Sequence, residues 1–252
     1  AQWQYNAYQL ALDGQGYARV MSMWDLYRLS ISDIIYREGQ TSPLLLDPLE
    51  VMLLSQYLIA DYDLEDINRR SDGDSFSMQN QLNLFHAYRS QSYNRGQGVI
   101  QAIYDLQRLE HGDHSVQTAR TRAMLGDWML WHGEREPAMA VYREAVAELT
   151  PRDDAEVEIE ALFGEPVELP NFAGVGKLPP DVDAAQGNLQ LQFTVSSRGK
   201  VRDLERVDEN ELNDALANRV MRTLRKTRFR PRLAMGEPQD TETVTRAYEI
   251  QQ

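Results

Sequence analysis

The chain contains no cysteine. That excludes a disulfide framework, a thiolate nucleophile and a cysteine-ligated zinc centre. It does not choose a compartment, because secreted proteins that avoid stray disulfides and many cytosolic proteins share the trait. No Gly-x-Ser-x-Gly occurs, and no pair of carboxylates stands in a motif that marks acid–base chemistry. The expectation is a protein that is not an enzyme and has no cofactor. Long apolar runs are also missing. The most hydrophobic stretch, Leu44 to Ala60, is broken by Asp47, Glu50 and Gln56. It is expected to fall short of the roughly 20 apolar residues that a membrane-crossing helix needs.

What is present in excess is acid. The 252 residues hold 26 Lys and Arg against 39 Asp and Glu, for a net charge of −13. Residues 181–252 carry 12 of each sign, so the whole imbalance lies in 1–180. Such a surface repels nucleic acid and anionic lipid, which bind mainly through Lys and Arg contacts to phosphate. The length allows two modest domains.

Up to about residue 162 apolar residues recur at helical spacing, as in Val20, Trp24, Tyr27, Ile31 and Ile34. Seven or eight helices are expected, with breaks near Gly39–Pro43, Ser71–Gly73, Gly96–Gly98, Gly112 and Gly133. From Thr118 onward, Leu125-Gly126 falls on one helix, Gly133 in a turn, Ala138, Tyr142 and Ala145 on a second helix, and Pro151 beyond. This spacing resembles the tetratricopeptide repeat, in which small residues let two antiparallel helices approach. Some 34 residues earlier the match is much weaker: Ala87 falls where the first small residue belongs, but Val99, Ile103 and Leu106 stand where the second helix should offer small and aromatic residues, which leaves degenerate repeats and unrelated helical hairpins as alternatives.

Between Phe163 and Gln186 the periodicity stops and Gly164, Pro166, Pro170, Gly174, Gly176, Pro179 and Pro180 crowd together. The segment is expected to connect two domains. Beyond it the period becomes 2. Leu189, Leu191, Phe193 and Val195 alternate with polar residues, as one buried strand face requires. Ser197-Arg198-Gly199-Lys200 is expected to turn, and Val201, Leu204 and Val207 to continue in a second, bulged strand. A helix capped at Asn210 or Asn213 is expected to run to Lys226 on Leu212, Leu216, Val220 and Leu224. Thr241 to Ile250 forms a last strand.

This order, with Gly187 before the first strand, Gly199 in its hairpin, Lys226-Thr-Arg228-Phe229-Arg230-Pro231 after the helix and Gly236-Glu-Pro238 before the last strand, resembles the C-terminal domain of TonB-type energy transducers. The resulting expectation is an α+β chain of several domains. An all-α domain of tetratricopeptide-like hairpins covers 1–162, a Pro/Gly linker 163–179, and a small ββαβ TonB-like domain 180–252. Two features depart from the family: Leu178-Pro179-Pro180-Asp181 stands where it commonly shows Tyr-Pro and a small residue, and neither an anchor nor a proline-rich spacer is in this sequence.

The resemblance implies a periplasmic protein of the Gram-negative envelope, with a signal peptide or membrane anchor removed upstream of Ala1. It implies protein binding in a transport system, with TonB-dependent outer-membrane transporters as partners. By that likeness the last strand, Glu242, Thr243, Val244, Thr245, Arg246, Ala247, Tyr248 and Glu249, is a docking edge to which a partner segment adds as a further strand. A homodimer through the same strand is a second use of the edge. The alternative is an envelope scaffold or adaptor that keeps the fold without transmitting force.

Other motifs carry less. No acidic residue occurs from Ala217 to Gly236. Arg219, Arg222, Arg225, Lys226, Arg228, Arg230 and Arg232 form a basic run, of which Arg222, Arg225, Lys226, Arg228 and Arg230 could meet an anionic partner, against the simpler reading of a solvated helix end whose cations complement the dipole. His111 and His114 flank a turn without a third ligand, and no metal is expected. Asp61 to Asp66 lacks the glycine of a calcium loop. Gly174-Val-Gly176-Lys177 lacks the Ser or Thr and the first glycine of a phosphate loop. Trp3, Tyr5, Tyr8, Tyr17, Trp24, Tyr27 and Tyr36 suit a core better than a peptide groove.

Overall fold

The computed structural model describes residues 17–61, 76–171, 189–208, 214–234 and 236–248. The first part is helical: α1 (Tyr17–Glu38), a 3-10 turn (Pro43–Leu45), α2 (Leu46–Asp61), α3 (Phe76–His111), α4 (Val116–His132), α5 (Arg135–Leu149) and α6 (Ala155–Phe163). Local chemistry sets the ends. Ser115 caps α4 by accepting from Thr118 N at 3.1 Å. Gly133, at φ 101°, closes it. Gly133 N donates to Leu130 O and Glu134 N to Met129 O, the paired bonds of a Schellman end.

One expectation fails here. The break at Gly96–Gly98 does not exist, because α3 runs unbroken for 36 residues. Gly96 serves a close approach instead: a Cβ there would stand 2.3 Å from the Trp128 ring. Ala87, Val99, Ile103 and Leu106 all lie on this one helix, so they form no second repeat hairpin. The expected break at Ser71–Gly73 lies outside the described residues.

Between α4 and α5 the expected contact forms. A Cβ on Gly126 would lie 2.3 Å from the Tyr142 ring, so the glycine admits the aromatic, with Ala138 and Ala145 buried alongside. By length and composition Pro43–Asp61 does qualify as a span, with a mean hydropathy of 1.3. It is a core helix, with Leu49, Met52, Leu53, Leu54 and Tyr57 buried among α3 and α4 residues.

The region 163–171 is built into the fold. Phe163 is buried, and β1 (Val167–Leu169) pairs antiparallel with β4 (Arg228–Arg230). Then come β2 (Leu189–Val195), β3 (Val201–Arg206), α7 (Asp214–Lys226), β4, β5 (Arg232–Ala234), β6 (Glu237–Gln239) and β7 (Val244–Tyr248). The main sheet has the order β3-β2-β7, all antiparallel, and β5-β6 forms a separate ribbon. The expected bulge lies on β3, where Asp203, at φ 51°, and Leu204 together oppose Phe193 of β2. Leu189, Leu191, Phe193 and Val195 form a second core with Ala217, Leu224 and Phe229. Leu169 and Leu233 belong instead to the helical core.

Candidate interaction edge and groove

Backbone directions show which atoms of β7 are free. Gln190 N donates to Asp208 Oδ2 and Gln190 O accepts from Val207 N, so Gln190 turns its backbone toward β3. By alternation Leu189, Leu191 and Phe193 turn theirs toward β7, where they pair with Tyr248, Arg246 and Val244. The N–H and C=O groups of Thr245 and Ala247 therefore point outward, and no strand pairs with that side among the described residues. The opposite edge is guarded: β3 carries Arg202, Asp203, Glu205 and Arg206 and a bulge, the usual protection of an edge strand. On β7 the two residues whose backbone faces outward, Thr245 and Ala247, are uncharged, and the strand's single charge, Arg246, points into the core face.

Side chains follow the same alternation. Val244, Arg246 and Tyr248 share the core face with their β2 partners, under α7. Arg246 is turned inward. It donates to Pro166 O, stands 3.8 Å from Glu168 and lies over the Phe229 ring. Tyr248 Oη donates to Glu168 Oε2 at 3.3 Å. Burial raises the Glu168 carboxyl above its usual range, against the lowering pull of Arg246 and Tyr248, and burial likewise raises the Tyr248 phenol.

Outside this cluster an open groove of about 240 Å³ runs between α7, β1 and β7, lined by Glu168, Arg219, Val220, Thr223, Leu224 and Tyr248. Its floor is apolar and Arg219 stands on its wall. Of the residues expected at the edge, Glu242 and Thr243 are exposed just before β7, and Glu249 lies outside the described residues.

The basic run is divided in two. Arg222, Arg225 and Lys226 are exposed on α7. Arg228 and Arg230 do not join them, because β4 turns both into the helical half. Arg228 donates to Leu130 O at 2.9 Å, and Arg230 donates to Leu162 O at 3.0 Å and meets Asp127 at 3.3 Å. Asp127, almost wholly buried, also accepts from Tyr142 Oη at 2.7 Å. Burial raises its carboxyl above the usual range while Arg230 opposes the shift.

Neither a family model, nor a curated protein, nor a solved structure matches this chain. The site therefore stands on its own geometry.

Glu168 and Asp127 escaped the sequence reading, and Arg219 was read only as part of the basic run. Asp127 could have been suspected as an acid inside an otherwise apolar helix face, between Gly126 and Trp128. Glu168 lay in a stretch whose many prolines hid a strand. His114 Nδ1 lies 3.1 Å from Glu148 O, and among the described residues no three His, Cys, Asp or Glu gather as a metal site. Of the early aromatics, Trp24 and Tyr27 pack on the helical core while Tyr36 is exposed. Trp3, Tyr5 and Tyr8 lie outside the described residues.

Proposed function

We propose that this chain is a protein-binding module of a TonB-type system in the Gram-negative periplasm, receiving an extended partner segment as a fourth strand on β7. The observation that carries the reading is the free, uncharged outer edge formed by Thr245 and Ala247. A strand added there gains backbone hydrogen bonds from the sheet and specificity from alternate side chains. A small antiparallel sheet with a helix across one face and the last strand at its edge is also what the TonB resemblance leads one to expect. The α4/α5 hairpin, closed by Gly126 and Tyr142, supports the tetratricopeptide-like reading of the helical part, which would hold a second envelope partner.

The test is titration of the labelled full chain with synthetic energy-coupling peptides of outer-membrane transporters. Saturable amide shifts confined to Val244–Tyr248 are expected. Thr245→Pro removes an outward donor at an edge position where proline is tolerated. It is expected to weaken binding roughly fivefold, the worth of about one hydrogen bond, with the fold intact by circular dichroism. Unchanged affinity in the folded variant would reject the edge. A second reading, an envelope scaffold that does not transmit force, is favoured by the buried Arg230–Asp127 pair, which ties the sheet-bearing half to the helical half.

A further inference from the structure

α7 carries one acid, Asp214, and four cations, Arg219, Arg222, Arg225 and Lys226. Asp214 is engaged by Arg206 at 3.1 Å. Among the described residues none of the four cations has a carboxylate within 4 Å, although the chain as a whole has an acidic excess. Arg219, Arg222 and Lys226, at spacings of three and four, form one stripe along the helix with Thr223. Arg219 and Thr223 also line the groove beside β7. Arg219 thus stands across the apolar floor of Val220, Leu224 and Tyr248 from the free strand edge, and Arg222 and Lys226 continue the unmatched stripe on the exposed flank of the helix.

We infer that the partner segment is acidic, with one apolar residue as its anchor. The inference rests on the strand-addition reading above. The segment pairs its backbone with Thr245 and Ala247 and sends one apolar side chain into the groove. Its carboxylates meet Arg219, Arg222 and Lys226. The spacings agree: the stripe is about 10 Å long, and same-side residues of an extended strand recur about every 7 Å. Two acids on successive same-side positions can therefore face it together. Glu168 does not oppose them, since Arg246 and Tyr248 already engage it. The acidic excess of 1–180 disfavours a polyanion as broad as a bilayer or a nucleic acid, but not a single narrow strand.

The experiment compares three blocked peptides, Thr-Val-Thr-X-Thr-X-Thr with X as Asp, Asn or Lys, so that the apolar anchor and both X side chains share one face of the strand, titrated into the labelled full chain. The Asp peptide is expected to bind about tenfold tighter than its Asn twin at low salt, with the Lys peptide weakest. That advantage should shrink as salt rises from about 0.02 M to about 0.3 M. Arg219→Glu with Arg222→Glu should reverse the order of Asp and Lys while leaving the Asn peptide within about twofold, whereas Thr245→Pro should weaken all three alike.

Equal binding of Asp and Asn peptides at β7, or a preference that survives the double reversal, overturns the inference and leaves strand addition standing. If no peptide shifts Val244–Tyr248, both fall. Sedimentation showing a dimer whose Thr245 and Ala247 amides are already protected would make a second copy the occupant and overturn it as well.

Discussion

His132 ends α4 where a cation would normally be welcome to the helix dipole, yet it is held neutral. Its ring packs 4.5 Å from Trp128 and 5.0 Å from Trp131, centroid to centroid. Its Nε2 is buried without a partner. Burial, reinforced by Arg228, lowers its pKa from 6.5 to about 4. Between those values the unfolded chain takes up a proton that the folded one refuses. The contribution to stability is therefore complete above pH 6.5 and is lost as the pH falls toward 4. Discounted for partial exposure, the loss amounts to roughly 1–2 kcal/mol. The stability difference between His132→Gln and the parent, from urea unfolding at pH 7 and pH 4, should shrink by that amount. A constant difference would place the proton elsewhere.

Among the elements, two glycines on α3 make opposite demands. Gly98 has nothing within 4 Å of a built Cβ, so Gly98→Ala should gain about 0.5–1 kcal/mol from helix propensity. Gly96→Ala drives a methyl into the Trp128 indole and should lose about 1–3 kcal/mol despite the same gain. Thermal unfolding of the two variants checks both signs. This pair also shows why the sequence misled at that point. Glycine as a breaker and glycine as a contact look alike in one dimension, and only Trp128, thirty-two positions later, separates them. The elements that were legible, β2, the bulged hairpin, α7 and β7, owe it to local periodicity and turn chemistry. β1, β4 and β6 were not, since strands of three residues carry no period and two of them take their partners from distant chain. The edge was legible as a strand, but its free side and the groove required the register.

In the whole molecule the halves expected to be separate are interlocked. Asp127 brings a carboxylate from α4, Arg230 a guanidinium from β4 and Tyr142 a hydroxyl from α5 into one buried cluster. Removing Asp127 leaves the Arg230 guanidinium without its counter-ion and the Tyr142 hydroxyl without its acceptor, so Asp127→Ala should cost about 3–5 kcal/mol in urea unfolding. Asp127→Leu combined with Arg230→Met should recover most of that loss, and failure to recover it would mean that the cost is one of shape and not of charge. The pairing of β1 with β4 has a consequence for where the chain can be divided. Residues 180–252 are continuous in sequence, but cut out alone they would leave behind the neighbour strand of β4, the counter-ion of Arg230, the Glu168 wall of the groove and the apolar bed of Leu233. The sheet-bearing half is thus completed by residues that precede it, and a graft that carries its binding edge elsewhere must begin upstream of Val167.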